Sequence, residues 1–305
     1  MQIHLDTDFG GDPDDACALA LLLGWPGAEV TGITTELDAG GLRAGCVAHY
    51  LSLAGRSDIR VASGAGVPLA SGKRHNSTAD DPRYWPQPLA PILSPPGAAL
   101  DLLHASVQRG ATIVATGPLT NLAILEVSRP GILKDVSVVF MGGWIRPPDT
   151  GLPQWGPDMD WNAQCDMEAV LAVARSARLT LVTLPATLKA HLRASHLQRL
   201  RASGQTGFLL ARQSELYGLE TGMNELGRAH PGLPDDLVNF HYDPVTAAVG
   251  LGWPGVTVEK IHLQPMVDAE VLRFQRREHA PIVDAVTDVN GSEFEELWLD
   301  TVARI

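Results

Sequence analysis

The chain has 305 residues, 45% of them apolar, which suits one large α/β domain rather than a minimal module. Its formal charge of −12 argues against nucleic acid or an anionic membrane as partner, and no apolar run is long enough to cross a bilayer. Cys17, Cys46 and Cys165 form no CxxC pair, and residues 1–5 lack the basic and apolar regions of a signal peptide, so buried thiols and a cytoplasmic location are expected.

The first element is an apolar run, Ile3 to Leu5, followed by an acidic turn and an Ala/Leu-rich helix over residues 17–23. Asp6, Asp8, Asp12, Asp14 and Asp15 crowd into that turn. Two like charges ~4 Å apart repel by roughly 4 kcal/mol at an effective dielectric of 20. One or two such residues are explained by helix capping. Five call for a cation, and a hard divalent ion with oxygen ligands is the economical answer. Gly10 and Gly11 let the backbone approach it closely.

Residues 28–35 (AEVTGITT) then read as a buried strand, 40–55 as a helix and 59–62 as a short strand. From 63 to 96 the composition turns to proline and small polar residues, which forbid regular structure. A loop of this length inside a compact domain suggests an active-site wall, with Tyr84 and Trp85 either touching a ligand or packed as core. Alternation resumes with a helix at 98–109, a strand at 112–115 and the turn Thr116-Gly117-Pro118-Leu119-Thr120-Asn121 opening another helix. A strand at 136–141 ends in Gly142-Gly143; helices follow at 166–174, 196–204, 207–219 and 291–301, with strands at 179–183 and 256–263. This βα alternation predicts a mainly parallel sheet in one domain, with ligands bound beyond the carboxyl ends of its strands.

Four stretches carry chemistry. They are Asp6 to Ala16; the Gly-Pro-Leu-Thr-Asn turn; Met141-Gly142-Gly143 with Asp160-Trp161-Asn162; and Asn239-Phe240-His241-Tyr242-Asp243-Pro244. Each has a plainer reading, since Thr120, Asn121 and Asp166 can cap helices and a lone His241 can be a packed side chain. In their order and spacing across most of the chain they resemble the nucleoside hydrolases, together with 283–286 and 294–297 near the end.

The resemblance implies a single nucleoside hydrolase domain over 1–305, with a Rossmann-like, mainly parallel sheet and the 63–96 segment as active-site loop. It implies calcium-dependent hydrolysis of the N-glycosidic bond of ribonucleosides, in purine or pyrimidine salvage. Calcium would be held by Asp8, Asp15, the Thr120 carbonyl and Asp243, with Asp8 accepting the proton of the attacking water. Asp14, Met141, Asp160 and Asn162 would hold the substrate, and a homodimer or homotetramer is expected.

Three departures from the family pattern stand out. Asp160 replaces the usual Glu; Ala39 replaces a sugar-binding Asn, leaving Asp38 as substitute; and Tyr242 takes the place of a His that protonates the leaving base, with His241 one residue earlier. These keep a non-catalytic sugar-binding relative open as a second reading. A Mg²⁺ phosphatase built on Asp6-Thr7-Asp8 is a third, although it lacks a cationic phosphate clamp near the motifs.

Overall fold

The computed structural model of the chain describes residues 1–70, 81–85 and 88–305. Its spine is β1 (Gln2–Thr7), whose Ile3 and Leu5 have no solvent exposure. The acidic turn leads into α1 (Asp14–Gly24), then β2 (Glu29–Thr35), α2 (Leu42–Leu53) and β3 (Val61–Ser63). After the proline-rich stretch come α3 (Ala98–Gln108), β4 (Thr112–Ala115), α4 (Thr120–Ser128) and β5 (Ser137–Met141). Next are α5 (Trp161–Cys165), α6 (Met167–Ser176), β6 (Arg178–Val182), α7 (Leu184–Thr187) and β7 (His191–Arg193). The helices α8 (Ala194–Arg201), α9 (Gly204–Glu220) and α10 (Met223–Ala229) precede β8 (Leu237–Phe240) and α11 (Tyr242–Gly250). The chain closes with β9 (Val256–Asp268), β10 (Val271–Arg276), β11 (Ile282–Val289) and α12 (Gly291–Val302).

Nine strands form one sheet in the order β10-β9-β11-β6-β5-β4-β1-β2-β3. From β11 to β3 all neighbours are parallel, as expected of helix-connected strands, and their apolar runs are buried on both faces. The expected βα alternation omits the end of the chain, where β9 pairs antiparallel with both β10 and β11. It also omits the two-stranded β7–β8 ribbon, whose strands are too short to carry a readable period.

Within residues 63–96 the aromatic pair resolves as core. Tyr84 and Trp85 are 2% and 3% exposed. Trp85 packs on Phe9 with ring centroids 6.3 Å apart, and the Tyr84 hydroxyl donates to Glu220 at 2.9 Å. Residues 71–80 and 86–87 of the expected active-site loop lie outside the described residues.

Candidate active site

Parallel strands all deliver their carboxyl ends to one edge of the sheet, and the functional side chains sit on the residues just past those ends. Asp8 follows β1, Thr116 follows β4, and Met141 ends β5. Gly10, at φ +93°, turns the chain so that α1 starts with Asp14 and Asp15 in its first turn. At β8, a strand of the separate β7–β8 ribbon, His241 alone separates the strand from α11, which opens with Tyr242 and Asp243. Packing of α1 beside α11 then brings one carboxylate oxygen each from Asp14, Asp15 and Asp243 within 4.8 Å of one another.

These groups line a cavity of about 470 Å³ together with Asp8, Asp12, Asp160 and Asn162. Asp15 is held from two sides, by the Thr7 hydroxyl and by the Thr116 hydroxyl at 3.1 Å. Asn162 donates its amide to the carbonyls of Thr116 (2.9 Å) and Met141 (3.1 Å), tying the ends of β4 and β5 together. Asp160 accepts from the Gly143 N–H at 2.6 Å and from the Ala163 N–H at 3.4 Å, so it also caps α5. Trp155, Met159, Trp161 and Met223 give the cavity an apolar flank on which a flat ring can stack.

Burial raises the carboxyls of Asp14, Asp15 and Asp243 well above the usual range, and repulsion among them and from Asp8 adds to it. Asp160 is pushed to about 6, by burial alone, against the two N–H groups it accepts. A set of repelling carboxylates becomes favourable once a cation is among them. Oxygens within 4.8 Å fit a single ion at a ligand distance of ~2.4 Å, which is the range of calcium, and hard oxygen donors match it.

Asp8, Asp14, Asp15, Met141, Asp160, Asn162, Tyr242 and Asp243, all expected from sequence, meet at this cavity. Three expected residues do not. Asp38 turns away to cap α2, accepting from the N–H groups of Arg43 (3.1 Å) and Ala44 (2.9 Å) and from the Thr35 hydroxyl. Thr120 is fully buried with its hydroxyl on Asp166, so the strand-end residue at the cavity is Thr116, four positions earlier. His241 is 1% exposed and packs between Phe294 (5.5 Å) and Trp298 (4.6 Å), because its neighbour Tyr242 takes the cavity side. Asp6 also lies off the cavity, accepting from Thr34 and from Asn121 at 2.9 Å.

Sequence reasoning missed Thr116, Arg43 and Tyr217 as lining residues. Thr116 was legible as the first residue past a strand. Arg43 and Tyr217 lie inside helices, with no local signal of what they face. Tyr217 is hydrogen-bonded to Asp12, which also accepts from the Asn239 amide at 2.5 Å. Asp12 thus joins the turn to α9 and β8.

Comparison with known proteins points one way. The family profile described as inosine-uridine preferring nucleoside hydrolase matches residues 3–296. The pyrimidine-specific ribonucleoside hydrolase RihA of Salmonella schwarzengrund is 35% identical over 220 residues, 67% of either chain. Among solved structures, a plant nucleoside hydrolase, PpNRh1, superimposes with a TM-score of 0.81 at 24% identity, covering 99% of this chain and 98% of its own. A purine-preferring ribonucleoside hydrolase from Gardnerella vaginalis gives a TM-score of 0.79 at 21% identity, over 99% and 98%.

Proposed function

This chain belongs to the inosine-uridine preferring nucleoside hydrolase family, and we propose that its acidic cavity carries out the N-glycosidic hydrolysis of ribonucleosides with a calcium ion held by Asp8, Asp15 and Asp243. The observation that carries the reading is the convergence of Asp15 and Asp243 from two helices, with Asp14 in the same cluster, in a cavity that Asp8 also lines. Thr116, which lines the cavity and whose hydroxyl donates to Asp15, takes the place expected of Thr120 as the residue whose carbonyl would complete the set.

An ion held there would supply Lewis acidity toward water and favour the ionised form of the surrounding carboxylates. Asp8, at the end of β1, accepts the proton of the attacking water. Asp14 and Asp160 accept hydrogen bonds from sugar hydroxyls. Asn162, whose amide donors are spent on two carbonyls, offers its oxygen. As the C1′–N bond lengthens the sugar becomes cationic, and the ring of carboxylates stabilises that charge more than it stabilises the neutral substrate. Tyr242 keeps its proton, its pKa raised by burial and by Asp12, so it helps the departing base as a neutral hydrogen-bond donor.

The same reading takes 1–305 as one catalytic domain, working as a homodimer or homotetramer in cytoplasmic nucleoside salvage. A reducing-sugar assay over uridine, cytidine, inosine and adenosine, with and without chelator, tests it. Chelator-sensitive ribose release is expected. Calcium-dependent ribose binding without any release would establish the sugar-binding alternative instead.

A further inference from the structure

The cavity is rich in acceptors and poor in donors. Its six aspartates only accept when ionised, the Asn162 amide is spent on carbonyls, the Thr116 hydroxyl on Asp15 and the Tyr217 hydroxyl on Asp12, and the Tyr242 hydroxyl is assigned to the base. A sugar hydroxyl needs both kinds of partner, an acceptor for its proton and a donor for its oxygen.

Arg43 is the one cationic side chain among the described residues lining the cavity. It lies in the first turn of α2, whose start is pinned by Asp38 accepting from the Arg43 and Ala44 N–H groups. From there the side chain runs beneath the acidic turn. Nη1 donates to the Phe9 carbonyl at 3.0 Å, and Gly11 leaves room for it, since a Cβ there would sit 3.9 Å from Nη1. The residue is 3% exposed, yet its Nε is buried with no hydrogen-bond partner. An unsatisfied buried donor is costly, and a guanidinium never gives up its proton to relieve it. Asp38, the expected sugar contact on this side, is consumed by the helix cap.

We propose that Arg43 is a specificity-determining residue that donates to the oxygen of one sugar hydroxyl whose proton is taken by an adjacent aspartate. The proposal rests on the ribonucleoside reading of the cavity. It commits the site to a hydroxylated sugar: a substrate lacking that one hydroxyl gains nothing from the guanidinium.

The test crosses substitution with substrate. Values of kcat/KM for wild type, Arg43→Met and Arg43→Lys are measured on uridine and its 2′-, 3′- and 5′-deoxy forms, with calcium present. Arg43→Met should lose about 10–100-fold on uridine, the range for one hydrogen bond from a charged donor. It should lose less than about threefold on the single deoxy analogue that lacks the partner hydroxyl. Equal losses on all four substrates would overturn the proposal, leaving Arg43 as a brace for the acidic turn or a contact of the attacking water. If Arg43→Met does not fold, Arg43→Lys carries the same comparison. Wild type that leaves uridine and the other ribonucleosides intact would sink the functional reading alone. Calorimetric dissociation constants for the same four compounds then decide Arg43 by the same pattern.

Discussion

At the scale of single residues, the site is made by side chains brought together from distant parts of the chain. Asp243 shares a point with Asp14 and Asp15 from the far end of the chain. Asp243→Ala should therefore weaken calcium binding at least tenfold by calorimetry, and unchanged affinity would remove it from the ligand set. His241 and Tyr242 differ more sharply than their adjacency suggests. Burial drives the His241 imidazole well below its usual pKa, and Phe294 and Trp298 enclose it. His241→Phe should keep kcat on inosine and on p-nitrophenyl riboside within about threefold of wild type. A selective loss of inosine cleavage would make His241 the leaving-group acid after all. In the proposed role Asp160 accepts from sugar hydroxyls most strongly when ionised, and burial places its pKa at about 6. The acidic limb of kcat/KM should fall through about pH 6, and Asp160→Asn should remove that limb along with most of the activity.

At the scale of elements, the geometry depends on strand ends that approach each other closely. A Cβ on Gly117 would lie 2.8 Å from the Asp8 backbone nitrogen, closer than real contacts allow, so β1 and β4 can deliver Asp8 and Thr116 together only around a glycine. Gly117→Ala should push Asp8 aside and lower both calcium affinity and kcat by about tenfold or more. A variant with wild-type calorimetry and turnover would show that the two ends tolerate separation. Asn162 works at the same seam. Its amide bridges the carbonyls after β4 and at the end of β5. Asn162→Ala should cut kcat and kcat/KM together by roughly 10²-fold, since loss of one strong transition-state contact costs about 3 kcal/mol. A rise in KM alone would confine Asn162 to ground-state binding.

At the scale of the whole molecule, the acidic edge of the sheet opposes folding until a cation occupies it. Asp160 has a folded pKa of about 6 against 3.8 for an ordinary Asp, so its stabilising contribution is complete below pH ~4 and is lost as pH rises through 6, on the order of 3 kcal/mol. Asp14, Asp15 and Asp243 shift in the same direction and add to the trend in the metal-free protein. A cation such as calcium, binding the ionised carboxylates as proposed, would stabilise the fold by mass action. Thermal unfolding should therefore show a metal-free Tm that falls from pH 5 to pH 8, and a calcium-induced rise in Tm that is larger at pH 8 than at pH 5. A calcium effect independent of pH would mean that these carboxylates do not hold the ion.

The sequence by itself determined the α/β class, the mainly parallel sheet and the acidic turn bearing Asp8, Asp14 and Asp15, because periodicity and turn chemistry are local properties, whereas Asp160, Asn162 and Asp243 were singled out only by the resemblance to a family. Strand 112–115 was legible to the residue, since a β-branched run bounded by a Gly-Pro turn admits one reading. The orientation of side chains in short or irregular segments was not local. Whether His241 or Tyr242 faces the cavity depends on what α12 packs against, and whether Asp38 or Arg43 reaches it depends on how α2 is capped. Tyr84 and Trp85 became core because Phe9 and Glu220 offered them partners. The contacts that decided His241, Tyr84 and Trp85 join residues tens to hundreds of positions apart, and the Asp38 cap, though it spans only three to six positions, depends on the loop conformation that the folded sheet edge imposes, so only the tertiary structure decided them.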